Sequence, residues 1–141
     1  MILLDNRTDI EIELKNLENI YNYLNITKDI ELIITTNRDI QEYNRDYRGV
    51  DKSTDVLSFP LEDIPHMPLG TIIISSEKAK EVASSLKHSV RDEITLLFIH
   101  GLLHLLGYDH EIDNGEMREM EKKLINHFNL PASLIIRTQG E

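Results

Sequence analysis

The chain has 141 residues, with 15 Lys+Arg against 25 Asp+Glu and a formal net charge of −10. Its 40% hydrophobic and 28% charged content is ordinary for a globular protein, and one domain of this length buries roughly 68–70% of the surface its unfolded chain exposes. With no cysteine, disulfide frameworks, thiolate-bound zinc and cysteine nucleophiles are excluded, and the acidic balance weighs against a polyanionic partner, whose affinity rests on Lys and Arg neutralising phosphates.

Ile2–Leu4 is a short apolar run suited to an edge strand. Leu14, Leu17, Tyr21 and Leu24, widened by Ile20, recur at helical spacing, so an amphipathic helix is expected from about Ile10 to Leu24. Ile30–Thr35 is β-branched and short, hence a strand. Asn37 is placed to cap a helix through Tyr47, with Ile40, Tyr43 and Tyr47 on one face and Gly49 just past its end. Val56–Phe59, stopped by Pro60, and Leu69–Ser75 are two further strands. Ser76 is positioned to cap a helix over Glu77–Leu86, and Ser89 with Asp92 resembles a capping box. From Ile94 to Leu106 nearly every residue is apolar, which predicts a central helix buried on all sides and stopped by Gly107. A last amphipathic helix opens at Asp113 or Asn114 and runs to about Phe128. The sum is a single α+β domain spanning 1–141, with about four strands in a mixed sheet packed with several helices. The N-terminus lacks the basic start and apolar core of a signal peptide, and no stretch reaches the ~18 apolar residues of a membrane span. A cytoplasmic location with no membrane partner is expected.

Three of the six histidines fall in one window, His100-Gly101-Leu102-Leu103-His104-Leu105-Leu106-Gly107-Tyr108-Asp109-His110. His100 and His104, at i and i+4, project from one helix face about one turn apart, a separation that lets two imidazoles chelate one ion. The stop at Gly107 lets the chain swing His110 back towards them. Three neutral imidazoles with an open fourth position describe a catalytic-type zinc site; nickel, copper or cobalt suit the same ligands. A lone histidine on an apolar helix is usually a hydrogen-bonded core residue, but two on one buried face and a third beyond a helix stop outweigh that alternative. The spacing is that of the metzincin proteases with Gly101 where their general-base glutamate stands, so a metalloprotease is the weakest of the functional readings. Gly101 serves either to open space beside the metal or to pack the helix. His66, His88 and His127 have no companions at ligand spacing and are read as surface or packing residues.

Arg48 and Lys52 flank a glycine-containing turn leading into the Val56 strand. The planar guanidinium suits bidentate phosphate binding; a basic residue complementing the helix dipole is the simpler alternative.

Together these segments resemble the YbeY family, the bacterial rRNA maturation endoribonucleases. His100–His110 fits the family's H-G-x-L-H-L-x-G-Y-D-H motif without a gap, Tyr43–Pro60 its N-x-x-Y-R…D-x-x-T-(D/N)-V-L-S-F-P block, and Leu69–Ser75 its L-G-(D)-I-x-I-S strand. Thr71 departs from the aspartate common after the glycine, and Ser53 replaces a frequent proline. The resemblance implies that His100, His104 and His110 hold a zinc ion and that Arg48 is the required arginine beside it. It further implies metal-dependent cleavage of single-stranded RNA in maturing the 3′ end of small-subunit rRNA, in ribosome assembly and in quality control. Its expected partners are the small ribosomal subunit and an Era-type GTPase; DNA is not expected. Asp109 and Glu111 are the carboxylates nearest in sequence to His110, as proton acceptors or as partners orienting a ligand imidazole. The competing reading from another class is a non-catalytic ribosome-assembly factor with a structural metal.

The charge is unevenly spread. Residues 37–52 and 76–93 are each neutral, with four basic residues balancing four acidic ones, so the net negative charge lies elsewhere. An RNA partner is therefore compatible with −10, through weak, salt-sensitive contacts on one face.

Overall fold

Four strands, Ile2–Asn6 (β1), Ile30–Thr35 (β2), Val56–Pro60 (β3) and Gly70–Ser75 (β4), pair in the order β1-β2-β4-β3. The first three in that order run parallel, and β3 returns antiparallel to β4, so the sheet is mixed and β3 is an edge strand. The computed structural model describes residues 1–139. Its helices are Leu14–Tyr23 (α1), Asn37–Arg48 (α2), Ser76–Leu86 (α3), Val90–Leu105 (α4), Glu116–His127 (α5) and Ser133–Gln139 (α6).

Strand alternation decides which helix covers which face. Ile30, Leu32 and Ile34 of β2 and Ile72 and Ile74 of β4 turn to one side, where they pack with α1, with Leu97, Phe98 and Leu102 of α4, and with Met117 and Leu124 of α5. Ile33, Leu57 and Ile73 turn to the other, under Ile40 and Tyr43 of α2. The near-continuous apolar run of α4 is thereby explained: sheet, α3, α5 and α6 all pack around it. The architecture is the α+β domain expected from the sequence.

Several boundaries move, for local reasons. Residues 10–13 stay outside α1, held by Asn6 Nδ2 donating to the Ile10 carbonyl (2.7 Å), and the β-branched Ile10 and Ile12 do not favour a helical start. Thr36, not Asn37, caps α2 by accepting from Asp39 N–H, and Ser75, not Ser76, caps α3 by accepting from Lys78 N–H. Ser89 caps α4 as expected, accepting from Asp92 N–H at 3.0 Å. α5 begins at Glu116; Asp113 lies ahead of it but still accepts from Gly115 N–H (2.8 Å) and Met117 N–H (2.9 Å). These bonds hold its carboxyl below the usual range.

α6 has no counterpart in the sequence reading. It is fastened by a buried polar chain: His88 Nε2 meets Glu93 Oε1 at 2.8 Å, His88 Nδ1 meets Ser133 Oγ at 3.0 Å, and Arg137 spans Glu93 and Asp55. Burial works against the Arg137 charge, but the two carboxylates outweigh it and hold its pKa above the ordinary value. His88 is thus a packing residue, and His127 stacks on Tyr23 with ring centroids 4.2 Å apart. Among the described residues, no helix is long and apolar enough to cross a membrane.

Candidate metal centre and cleft

Leu106 closes α4, Gly107 takes φ +98°, Gly107 N–H donates to the His104 carbonyl (3.0 Å) and Tyr108 N–H to that of Leu103 (3.0 Å). This is the paired bonding of a Schellman stop, and a left-handed residue is needed at that position. The stop has a chemical consequence. It turns the Tyr108 carbonyl back so that His104 Nδ1–H donates to it at 2.9 Å, which leaves the lone pair of His104 on Nε2.

That Nε2 lies 3.1 Å from His100 Nε2, and ligand atoms of His100, His104 and His110 all fall within 4.8 Å of one another. The ring centroids are 4.6, 5.3 and 5.6 Å apart. Behind His100, the fully buried Glu121 of α5 places Oε1 at 3.6 Å from Nδ1. His104 Nδ1–H on Tyr108 leaves the His104 Nε2 lone pair facing His100 Nε2, and a His100 proton on Nδ1, the side of the Glu121 carboxylate, would set a second lone pair opposite it. Two facing lone pairs repel unless a cation lies between them, so the donor set fits a metal ion. His110 adds a buried Nδ1 that has no hydrogen-bond partner among the described residues. Burial, and then the neighbouring His100, push the His104 pKa down, towards the neutral form that ligates.

The three rings open onto a cleft of about 660 Å³ that runs across the edge strand β3. The end of α2 contributes to the same cleft, with Tyr47 and Arg48 among its lining residues. Gly49, at φ +71°, ends that helix, with its N–H on the Arg45 carbonyl and Val50 N–H on that of Asn44. Arg48, far from the histidines in sequence, thus shares one cleft with them. Lys52, whose carbonyl accepts from Asn44 Nδ2, is not among the lining residues.

Asp55, Asp109 and Glu111 also line the cleft. Asp55 is engaged by Arg137, and Asp109 Oδ1 accepts from Glu111 N–H at 3.0 Å, a bond that shapes the turn carrying His110. Of the two readings of Gly101, packing holds: a Cβ there meets Ile72 Cγ2 at 2.8 Å and Ser58 Oγ at 3.2 Å. A glutamate has no room at this position, which removes the base on which a metzincin reading depends. Thr71 lies on the Ile73 side of β4, opposite Phe59 of β3, and is not itself among the residues that line the cleft. Sequence reasoning missed Glu121; its signal is a carboxylate between Met117 and Leu124 on the apolar stripe of α5.

Residues 5–129 match the family model described as "Endoribonuclease YbeY". The chain belongs to the YbeY family. Relatives named Endoribonuclease YbeY are 59% identical in Nautilia profundicola and 55% identical in Helicobacter pylori, each over 139 residues and 99% of both chains. A solution structure from Thermotoga maritima, TM1509, is 31% identical, with a TM-score of 0.63 over 91% of this chain and 89% of that one. The matched segment runs from the end of β1 through α5 and stops before α6, so Arg137, which braces the cleft residue Asp55, stands outside it.

Proposed function

We propose that this chain, acting as a single cytoplasmic domain, is a metal-dependent endoribonuclease that cuts single-stranded RNA in ribosomal RNA processing, including maturation of the small-subunit 3′ end. The observation that carries the reading is the convergence of three imidazoles in a cleft that Arg48 also lines. Membership of a family whose relatives are named endoribonucleases supports RNA as the substrate.

His100, His104 and His110 would hold the ion, zinc by ligand chemistry, with nickel suited to the same set. When bound there, zinc supplies a Lewis acid that polarises a phosphate oxygen. Arg48 donates two parallel hydrogen bonds to the non-bridging oxygens, where charge grows as the phosphorus becomes five-coordinate. The Tyr108 carbonyl keeps the Nδ1 proton of His104 away from the cleft, and the Glu121 carboxylate, 3.6 Å from His100 Nδ1, favours the same tautomer there. The nucleophile is either water or the RNA 2′-OH, and the ends distinguish them: a 2′,3′-cyclic phosphate identifies attack by the 2′-OH.

The small ribosomal subunit and an Era-type GTPase belong to the same reading. One cleft arginine against three carboxylates makes for weak binding of naked RNA, which a ribosomal partner would compensate. A structural metal is usually closed by four protein ligands; three on an open cleft favour the enzyme over a non-catalytic assembly factor. The test is cleavage of a defined single-stranded RNA by Arg48→Ala, expected to lose ~10²–10³ in kcat, the usual cost of removing one electrostatic donor. Intact cleavage by that variant refutes the role given to Arg48.

A further inference from the structure

We infer that Tyr47 and Phe59 form a stacking platform for one unpaired nucleobase of single-stranded RNA at the rim of the cleft. The inference rests on the endoribonuclease reading and adds to it a grip on the substrate that is independent of phosphate.

Tyr47 is 72% exposed, and it is the only aromatic among the exposed large hydrophobic side chains of the described residues. Folding gains little from leaving such a ring in water, yet its position is held. Tyr43 stacks against it at 6.1 Å between centroids and 20° between planes, and Phe59 lies at 5.8 Å and 60°. Tyr43 is itself anchored, its hydroxyl accepting from Arg7 Nη1 at 3.1 Å. Phe59 follows Ser58, whose hydroxyl donates at 3.2 Å to the carbonyl of Gly101, the residue just after His100 in the metal helix. That bond ties the strand of Phe59 to the helix of the histidines, and the rings of Tyr43 and Phe59 flank Tyr47.

The occupant follows from what lies beside the rings. Tyr47, Arg48, Phe59 and the three histidines line the same cleft. Adjacent residues thus offer an aromatic face and a guanidinium, the pair of groups that a nucleotide's base and phosphate require. Three carboxylates line that cleft too, so phosphate contacts alone are a poor source of affinity, whereas base stacking is little affected by their charge. In a duplex the faces of each base are covered by its neighbours; an exposed ring therefore selects unpaired bases.

The experiment measures anisotropy of a short fluorescein-labelled single-stranded RNA with cleavage-resistant 2′-O-methyl phosphorothioate linkages, on zinc-loaded protein. Tyr47→Ala and Tyr47→Leu should weaken binding roughly 5- to 150-fold, the usual range for loss of one base stack, while Tyr47→Phe keeps the affinity of the wild type. Because the side chain is exposed, the variants should keep the wild-type thermal midpoint. Independently of any variant, one abasic position in the RNA should weaken wild-type binding and have no further effect on Tyr47→Ala. Wild-type affinity in Tyr47→Ala, equal affinity of Tyr47→Leu and Tyr47→Phe, or indifference to every abasic position overturns the platform. Cleavage of the unmodified RNA is scored in parallel. Wild-type protein that binds through Tyr47 but does not cut refutes the nuclease reading alone, and protein that cuts but binds without Tyr47 refutes the platform alone.

Discussion

Gly101→Ala puts the packing of the metal helix to a quantitative test. Two effects oppose each other. In a helix interior alanine is better than glycine by about 1 kcal/mol. The added Cβ, however, lies 2.8 Å from Ile72 Cγ2 and 3.2 Å from Ser58 Oγ. Ile72 is fully buried in β4, between β2 and β3, and its β-branched side chain cannot swing aside. Relief requires α4 to lift from the sheet by a few tenths of an ångström, and overpacking of this kind costs about 1–3 kcal/mol. The contact outweighs the propensity, leaving a net loss of about 1 kcal/mol. With a urea slope of ~1–3 kcal/mol per molar, the unfolding midpoint should fall by roughly 0.3–1 M. A midpoint equal to or above that of wild type refutes the claim that helix and sheet meet too closely for a side chain.

Glu121→Gln should weaken zinc binding ~10- to 100-fold, as loss of a ligand-orienting carboxylate does, without lowering the thermal midpoint of the metal-free protein; competition with a chromophoric chelator checks this, and unchanged affinity contradicts it. Arg137→Met leaves the buried Glu93 carboxylate without its guanidinium and should cost about 3 kcal/mol in urea unfolding; a loss below about 1 kcal/mol refutes the view that this chain fastens α6. The depressed His104 pKa sets a pH dependence for the metal-free protein. Above the ordinary value near ~6.5 both states are neutral at this ring; below it the unfolded chain takes up the proton first, so stability falls until the folded pKa is reached and then levels off. Thermal midpoints of chelated protein should show that fall, and a His104→Asn variant should show less of it; equal profiles contradict the assignment.

The parts of the molecule that could be read from the sequence are those whose cause is local. The i, i+4 histidines, the glycine stop and the β-branched strands each declare a backbone geometry within a few residues. Placing Arg48 in the same cleft as the histidines depends on β3 pairing with β4 beneath α4, a non-local arrangement that only the family resemblance indicated. Glu121 was missed because burial of its carboxylate becomes intelligible only when His100 is seen opposite it. The capping residues were misplaced by one position at α2 and α3, where two adjacent polar residues compete and the strand ends decide which of them turns. α6 was missed because its short segment shows no stripe long enough to read, and it is held by a polar chain to Glu93 and Asp55, far away in sequence.

The central claim is tested most directly by metal analysis of the purified protein combined with cleavage of a defined single-stranded RNA before and after chelation. One zinc equivalent per chain is predicted, with cleavage that disappears on chelation, returns on adding zinc, and is absent from a folded His104→Ala variant. Undiminished cleavage by the chelated protein or by His104→Ala would contradict it.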